Sequence, residues 1–126
     1  MEIVDTVYLI AYLLVEDKLH EEATKIIDRL SENRKVSQAS LLELDLLMKS
    51  RKFNFEEKTK AWSLLDKVIP VNFIEIITPQ DFLVASALTR DQKLDYFDAL
   101  VAAQCTNRSA KPLTTDKKII DAVKKV

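Results

Sequence analysis

The chain has 126 residues, of which 48% are hydrophobic and 31% charged, and a formal net charge of −1; these values are typical of one folded domain and exclude a disordered chain. The balanced charge excludes a uniformly basic nucleic-acid binder, so contacts with phosphates would have to come from local patches. Cys105 is the only cysteine and glycine is absent, which excludes a disulfide framework, a thiolate metal site and glycine-rich phosphate loops.

Strands and helices alternate along the predicted chain, with boundaries set by hydrophobic periodicity, Pro70 and the helix start at Thr78 and Pro79. In chain order the predicted elements are a strand at 3–4, helices up to residue 15 and over 19–31, a strand at 35–37, helices over 41–49 and 55–68, a strand at 71–76, helices from 79 to about 89 and over 95–107, a strand at 113–115 and a closing helix from residue 116. This alternation predicts an α/β domain over residues 1–126, with a central parallel sheet of about four short strands flanked by helices on both faces.

Because the chain contains no glycine, other residues must adopt the left-handed backbone conformation at helix ends. Asparagine is the residue that next most readily adopts the left-handed backbone conformation. We therefore expect Asn33, Asn54 and Asn107, which stand near predicted helix ends, to take such positions.

The apolar stretch at residues 7–15 is the one candidate for a targeting segment. It is too short to span a bilayer, and it follows Glu2 and Asp5 where a signal peptide would carry basic residues. The stretch predicts a buried helix, and with no disulfide framework we expect the protein in the cytoplasm, without a membrane partner.

Two aspartates stand where predicted strands end and helices begin. Asp5 follows the strand at 3–4, and Asp116 follows the strand at 113–115. Because parallel strands end at the same edge of their sheet, the two carboxylates are expected to share a pocket there. Carboxylate oxygens are the ligands that Mg²⁺ and Mn²⁺ prefer. A helix N-cap, which Asp favours at such a turn, is the alternative explanation for either residue.

Two more acids, Glu43 and Asp98, lie in apolar helical segments. A capping box beginning at Ser40 would explain Glu43, and a cap at Asp95 followed by a first-turn acid would explain Asp98. Acids gathered in one place repel one another, however, and a bound cation removes that cost. The predicted metal ligands are Asp5, Glu43, Asp98 and Asp116.

Four segments, in their order and spacing, resemble those of PIN-domain ribonucleases, specifically the small toxins of the VapC type. They are Ile-Val-Asp-Thr at 3–6, Ser-Leu-Leu-Glu-Leu at 40–44, Phe-Asp-Ala-Leu-Val-Ala-Ala at 97–103 and Leu-Thr-Thr-Asp at 113–116. The resemblance covers nearly the whole chain and implies a single PIN-like domain.

The resemblance implies a metal-dependent endoribonuclease that hydrolyses phosphodiester bonds of single-stranded RNA or RNA loops. Thr114 matches a hydroxyl residue two positions before the last acid, where it positions water or the neighbouring carboxylate, and Thr6 matches the small polar residue after the first acid. His20, the only histidine, lies outside these segments. The residues that match the family's acidic quartet, with Mg²⁺ or Mn²⁺ as the implied cofactor, are Asp5, Glu43, Asp98 and Asp116.

Two positions depart from the family's pattern. Val7 stands where the family often has Asn or Ser, and residues 109–111 read Ser-Ala-Lys where a glycine usually precedes the last strand. The Val7 departure leaves open a catalytically inactive PIN domain that serves as an RNA-binding or scaffold module. A phosphotransfer domain of the receiver type is a third reading, but it needs a phospho-accepting Asp in mid-chain and a lysine after a later strand, and neither has a convincing place.

Partners follow from the resemblance: an RNA substrate, a second copy in a homodimer and, for the toxin of a type II toxin–antitoxin pair, an antitoxin lying across apolar helices. Tyr8, Tyr12 and residues 53–55 are candidates for that apolar surface, and core packing explains them equally well. The candidates for phosphate contacts are Arg34, Lys35, residues 49–52, Lys117 and Lys118. Trp62 is expected in the core or at an interface, Cys105 in the core and His20 at the surface.

Overall fold

Four short strands form a parallel sheet. The computed structural model describes residues 1–124. The strands are β1 (Glu2–Val4), β2 (Arg34–Ser37), β3 (Ile74–Glu75) and β4 (Lys111–Leu113). Their order across the sheet is β3–β2–β1–β4, and each pairing is parallel. The residues that follow the strands therefore lie at one edge of the sheet, as predicted.

Seven α-helices connect and follow the strands within residues 1–124. They are α1 (Thr6–Leu13), α2 (His20–Asp28), α3 (Gln38–Ser50), α4 (Phe55–Val68), α5 (Pro79–Gln92), α6 (Tyr96–Arg108) and α7 (Lys117–Lys124). A 3₁₀ turn, Val71–Phe73, leads into β3. In this part of the chain no helix has both the length and the apolar character needed to cross a membrane.

The last two residues of β1 show that helices cover both faces of the sheet. Val4 packs in a cluster with side chains of α1 to α4, whereas Ile3 packs against Cys105 of α6 and against Ala110. Successive side chains of a strand point to opposite faces, so these clusters lie on opposite sides. The predicted α/β architecture and the buried position of Cys105 are confirmed.

The helix that carries Glu43 begins earlier than predicted. α3 follows β2 directly, and its N-cap is Ser37, whose hydroxyl accepts the backbone N–H of Ala39 at 3.1 Å. The capping box at Ser40, which was the alternative explanation for Glu43, is therefore wrong. Ser40 lies inside the helix and donates its hydroxyl to the carbonyl of Val4 at 3.2 Å. Glu43 consequently stands in the second turn of α3 and caps nothing.

Two strands differ from their predicted extents by more than one residue. The third pairs only over Ile74–Glu75, because its neighbour β2 ends at Ser37 and turns at once into a helix. The fourth ends at Leu113, one residue before Thr114. Thr114 therefore lies beyond the strand, at the sheet edge rather than within the sheet.

The left-handed backbone positions are taken by residues other than asparagine. Among residues 1–124 the non-glycine residues with positive φ are Lys52, Lys93 and Ser109, with φ of 59°, 55° and 51°. The prediction for Asn33, Asn54 and Asn107 is wrong. Lys93 and Ser109 stand at the C-caps of α5 and α6, and Asn54 forms the N-terminal capping box of α4 instead.

A buried ion pair joins β3, α5 and α6. Arg108 donates from Nη1 and Nη2 to the two oxygens of Asp81 at 2.7 and 2.8 Å, and from Nε to Glu75 at 2.5 Å. Asp81 is 0% exposed and also accepts the backbone N–H of Thr78, which completes the predicted helix start. Burial acts to raise the pKa of Asp81, but hydrogen bonds from Arg108 and Asn107 outweigh it and lower the pKa to about 2.

Candidate active site

Three carboxylates meet at the edge of the sheet where the strands end. Asp5 follows β1, Glu43 lies in α3, and Asp98 lies in the first turn of α6. One carboxylate oxygen of each residue lies within 4.8 Å of the others. Because β1, α3 and α6 pack together, residues that are remote in the sequence share one pocket.

Asp5 is the most buried of the three, with 5% of its surface exposed. It occupies the N-cap position of α1, but its side chain makes no capping hydrogen bond, so the N-cap alternative does not account for it. Oδ2 accepts the hydroxyl of Thr114 at 2.7 Å, whereas Oδ1 is buried and has no hydrogen-bond partner among residues 1–124. Burial raises the pKa of Asp5, and the hydrogen bond from Thr114 acts in the opposite direction.

Glu43 is half-buried and hydrogen-bonded to the start of α1. The hydroxyl of Thr6, itself buried, donates to Oε1 of Glu43 at 2.5 Å. Burial raises the pKa of Glu43; the bond from Thr6 lowers it, and the negative charge of Asp5 raises it again. The Thr6 bond thus holds the Glu43 carboxylate beside the end of β1.

Asp98 is surrounded by negative charge. Burial first, and then the charges of Asp95 and Asp116, raise its pKa from 3.8 to about 8. Asp95 is the predicted N-cap of α6 and accepts the backbone N–H of Asp98 at 2.9 Å. The capping prediction is confirmed, yet Asp95 also adds charge to the acidic cluster. The sequence did not indicate this second effect, because a cap and a site acid have the same local pattern.

Asp116 stands beside the three acids rather than among them. The hydroxyl of Thr114 donates to Asp5 and accepts the backbone N–H of Asp116 at 3.0 Å, which joins the two chain segments. The Asp116 carboxylate accepts the backbone N–H of Lys118 at 2.9 Å, as the N-cap alternative expects. Its charge nevertheless raises the pKa of all three clustered acids.

The donor set fits a hard divalent cation. The ligand atoms of the cluster are all carboxylate oxygens, the type that Mg²⁺ and Mn²⁺ prefer. The unpartnered Oδ1 of Asp5 is costly to bury without a positive partner. A divalent cation would satisfy this oxygen and offset the repulsion that raises the pKa values.

Two pairs of the basic candidates differ in their surroundings. Lys117 and Lys118 are exposed in the first turn of α7, directly after Asp116, whose charge acts on the clustered acids. Arg34 and Lys35 each form an ion pair with a glutamate instead. The two lysines of α7 are therefore the better placed for phosphate contacts.

Two other candidates have structural partners. Trp62 donates its indole N–H to Asp45 at 3.1 Å. His20 is half-buried rather than exposed, and its Nδ1 donates to the carbonyl of Ala11 at 2.8 Å. Neither belongs to the acidic cluster.

Comparison with known proteins places the chain in a family. Residues 3–125 match the PIN domain, and the chain belongs to the PIN domain family. It is similar in structure to VapC20 of Mycobacterium tuberculosis, described as a toxin that cleaves the sarcin–ricin loop, with 20% identity and a TM-score of 0.70 over 97% of this chain and 95% of that chain.

Two further structures share the fold. FitAcB from Neisseria gonorrhoeae is 18% identical, with a TM-score of 0.72 over 98% of this chain and 94% of that chain. FitAB bound to an IR36 DNA fragment is 14% identical, with a TM-score of 0.69 over 98% and 91%. No curated protein matches the chain in sequence. The PIN-domain resemblance seen in the sequence is confirmed.

Proposed function

We propose that this chain is a metal-dependent endoribonuclease and the toxin of a type II toxin–antitoxin pair. The observation that carries the proposal is the meeting of Asp5, Glu43 and Asp98 around a buried carboxylate oxygen without a partner. Membership of the PIN domain family and the likeness to a toxin that cleaves the sarcin–ricin loop support RNA as the substrate class.

In this proposal the three clustered carboxylates bind the cation, and Thr114 orients Asp5 toward it through its hydroxyl. When bound, Mg²⁺ or Mn²⁺ would hold the scissile phosphate and lower the pKa of a water, so that hydrolysis adds water across a P–O bond. Asp116 adds negative charge at the rim and fixes the start of α7. Lys117 and Lys118 would bind neighbouring phosphates of the RNA backbone.

The test is RNA cleavage in the presence of Mn²⁺, with new ends mapped on a pool of structured RNAs. We expect Asp5→Asn and Asp98→Asn to reduce cleavage more than about a hundredfold, since each removes a charged ligand. Asp66→Asn, which changes an exposed acid on α4, is the matched control and should cleave like the wild type. Equal cleavage by all four proteins would overturn the assignment.

A calorimetric titration with Mn²⁺ separates this proposal from a catalytically inactive scaffold. A nuclease of this kind should bind Mn²⁺ with a heat that disappears in Asp5→Asn. A scaffold should give no heat that depends on Asp5. Binding of RNA without cleavage, together with no such heat, would favour the scaffold.

The antitoxin would lie in an apolar groove of about 460 Å³ between α1, α3 and α4. Its apolar lining includes Ile10, Leu13, Leu14, Leu47, Phe53 and Leu64. Tyr8 is not part of this surface, because it is buried in the core and donates its hydroxyl to Glu22. The antitoxin would be the protein encoded by the neighbouring gene, and Leu14→Asp should prevent it from co-purifying with this chain. Val71→Asp changes an exposed residue outside the groove and should leave the complex intact.

A homodimer would use the exposed apolar side chains on α3 and α5. These are Leu42, Leu46, Phe82 and Leu83, which are 49%, 52%, 45% and 65% exposed. A second copy would remove this surface from water. Light scattering should show a dimer for the wild type and a monomer for Leu83→Asp; a monomeric wild type would overturn the homodimer.

A further inference from the structure

Beyond the acids, the chain buries neutral polar side chains where apolar ones would cost less. Among residues 1–124 the buried polar or charged residues are Asp5, Thr6, Ser37, Ser40, Asp81 and Gln104. Asp81 belongs to the ion pair with Arg108, and Asp5 to the acidic cluster. The four neutral ones lie on α1, at the β2–α3 junction, on α3 and on α6, which are the elements around the three clustered carboxylates.

Ser40 joins α3 to the end of β1. It is fully buried, and its hydroxyl donates to the carbonyl of Val4, the residue immediately before Asp5. Ser40 also lies about one helical turn before Glu43, on the same side of α3. This hydrogen bond therefore fixes the position of α3 along its axis relative to the end of β1, where Asp5 follows.

Gln104 joins α6 to α3 and to the edge strand. It is fully buried, its Oε1 accepts the hydroxyl of Ser37 at 2.6 Å, and its Nε2 donates to the carbonyl of Glu75 at 3.0 Å. Gln104 lies nearly two turns after Asp98 on α6, and Ser37 lies nearly two turns before Glu43. A shift of either helix along its axis would break this bond before it changed the apolar contacts much.

The apolar contact between α3 and α6 has little directionality of its own. It includes Ala39 packed in one cluster with Ala99, Ala102 and Ala103. Small methyl side chains allow helices to slide by fractions of an ångström, whereas a buried hydrogen bond defines one position. Carboxylates that bind one cation require such a fixed helix position, because their ligand atoms must be held within about 0.5 Å of the geometry that binds the metal.

We propose that Ser40 and Gln104 are positioning residues, which hold α3 and α6 against the end of β1 so that the three carboxylates converge on one cation. The inference rests on the proposed function, since it assumes that the cluster binds a divalent metal. It goes beyond that function by assigning the metal affinity in part to two side chains that touch no ligand.

The experiment titrates Mn²⁺ calorimetrically into wild type, Ser40→Ala and Gln104→Met, each well below its measured Tm. Both variants should bind Mn²⁺ about tenfold more weakly, the usual effect of losing a residue that orients a metal ligand. Ser40→Ala removes a single oxygen atom and keeps the inference testable if Gln104→Met does not fold. The control is Ile27→Val, a core change on α2, which should lower Tm without changing the Mn²⁺ affinity.

Three different results would overturn the inference. Unchanged Mn²⁺ affinity in Ser40→Ala and Gln104→Met, with binding by the wild type, would refute the positioning role and leave the proposed function intact. No Mn²⁺ binding by the wild type would refute the metal site, and the positioning role with it. Weaker binding in Ile27→Val as well would show that stability alone controls the affinity and would also refute the inference.

Discussion

Replacing Arg108 with methionine should destabilise this protein strongly. The guanidinium binds both oxygens of Asp81, which is fully buried, and also donates to Glu75. Methionine keeps much of the side-chain length but leaves the Asp81 carboxylate without its cationic partner. Removing one member of a buried ion pair costs about 3–5 kcal/mol, because the remaining charge stays buried and uncompensated.

The pKa of Asp81 gives a second value for the stability that this ion pair contributes. Burial would raise it, but the bonds from Arg108 and Asn107 lower it from 3.8 to about 2. At about 1.36 kcal/mol per pH unit, this shift corresponds to about 2.5 kcal/mol of stability. Because the pKa is lower in the folded protein than in the unfolded chain, this contribution is fully present above about pH 4 and is lost as the pH falls toward about 2. Arg108→Met should lose this component of the acid dependence.

The assay is urea unfolding followed by circular dichroism at neutral pH and in a series from about pH 5 to about pH 2. Arg90→Met is the matched control, since Arg90 makes the same two-point contact with Asp91 but both side chains are largely exposed. We expect no measurable change there, because solvent screens the pair. The double variant Asp81→Leu with Arg108→Met should recover part of the loss. A loss below about 1 kcal/mol in Arg108→Met, or one no larger than in Arg90→Met, would refute the reasoning.

Three smaller changes have equally definite outcomes. Thr114→Val removes the hydroxyl that donates to Asp5, so the Mn²⁺ affinity measured by calorimetry should fall about tenfold. Thr114→Ser keeps a hydroxyl and should keep the affinity. An equal loss of affinity in both variants would show that the hydroxyl does not matter. Thr106→Val removes a buried hydroxyl that has no partner within residues 1–124 and should raise the free energy of unfolding by about 1 kcal/mol; a decrease would mean that the hydroxyl is hydrogen-bonded. Ser109→Gly relieves a left-handed position and should also add about 1 kcal/mol in urea unfolding. Its control is Ala87→Gly, exposed inside α5, which should destabilise; a stabilising Ala87→Gly would disprove the backbone explanation.

The fold class and the meeting of three acids followed from local patterns. A short apolar run that ends on an acid marks the edge of a parallel strand, and this placed Asp5 correctly. The helix start at Thr78 and Pro79 could also be predicted, because the N-cap, the proline and the acid of the first turn are neighbours in the sequence. Glu43 and Asp98 stood out because acids in apolar helical segments need a partner.

Element boundaries were less predictable, because tertiary contacts decide them. α2 ends at Asp28, before the predicted residue 31, since Ser31 and Arg34 exchange backbone hydrogen bonds in a tight turn. The third strand stops after two residues because β2, the strand that pairs with it, ends there. Neither the turn nor the missing partner is visible in the local sequence.

The left-handed positions were missed for a similar reason. Lys93 and Ser109 adopt positive φ because the chain must reverse after α5 and α6, and no better residue is present at those points. Propensity alone favoured asparagine. The packing of the helices on either side outweighed a local cost of about 1 kcal/mol.

The acidic cluster links stability to the proposed chemistry. Burial and mutual repulsion raise the pKa values of Asp5, Glu43 and Asp98, so bringing these carboxylates together opposes folding at neutral pH. Each sits on a different element, and no local interaction could hold the three together against that repulsion. Hydrogen bonds that cross between the elements do so, from Thr6 to Glu43, from Ser40 to the end of β1 and from Ser37, the N-cap of α3, to Gln104 of α6. A bound cation would reverse the sign of the electrostatic effect, and metal binding should therefore stabilise the fold as well as complete the site.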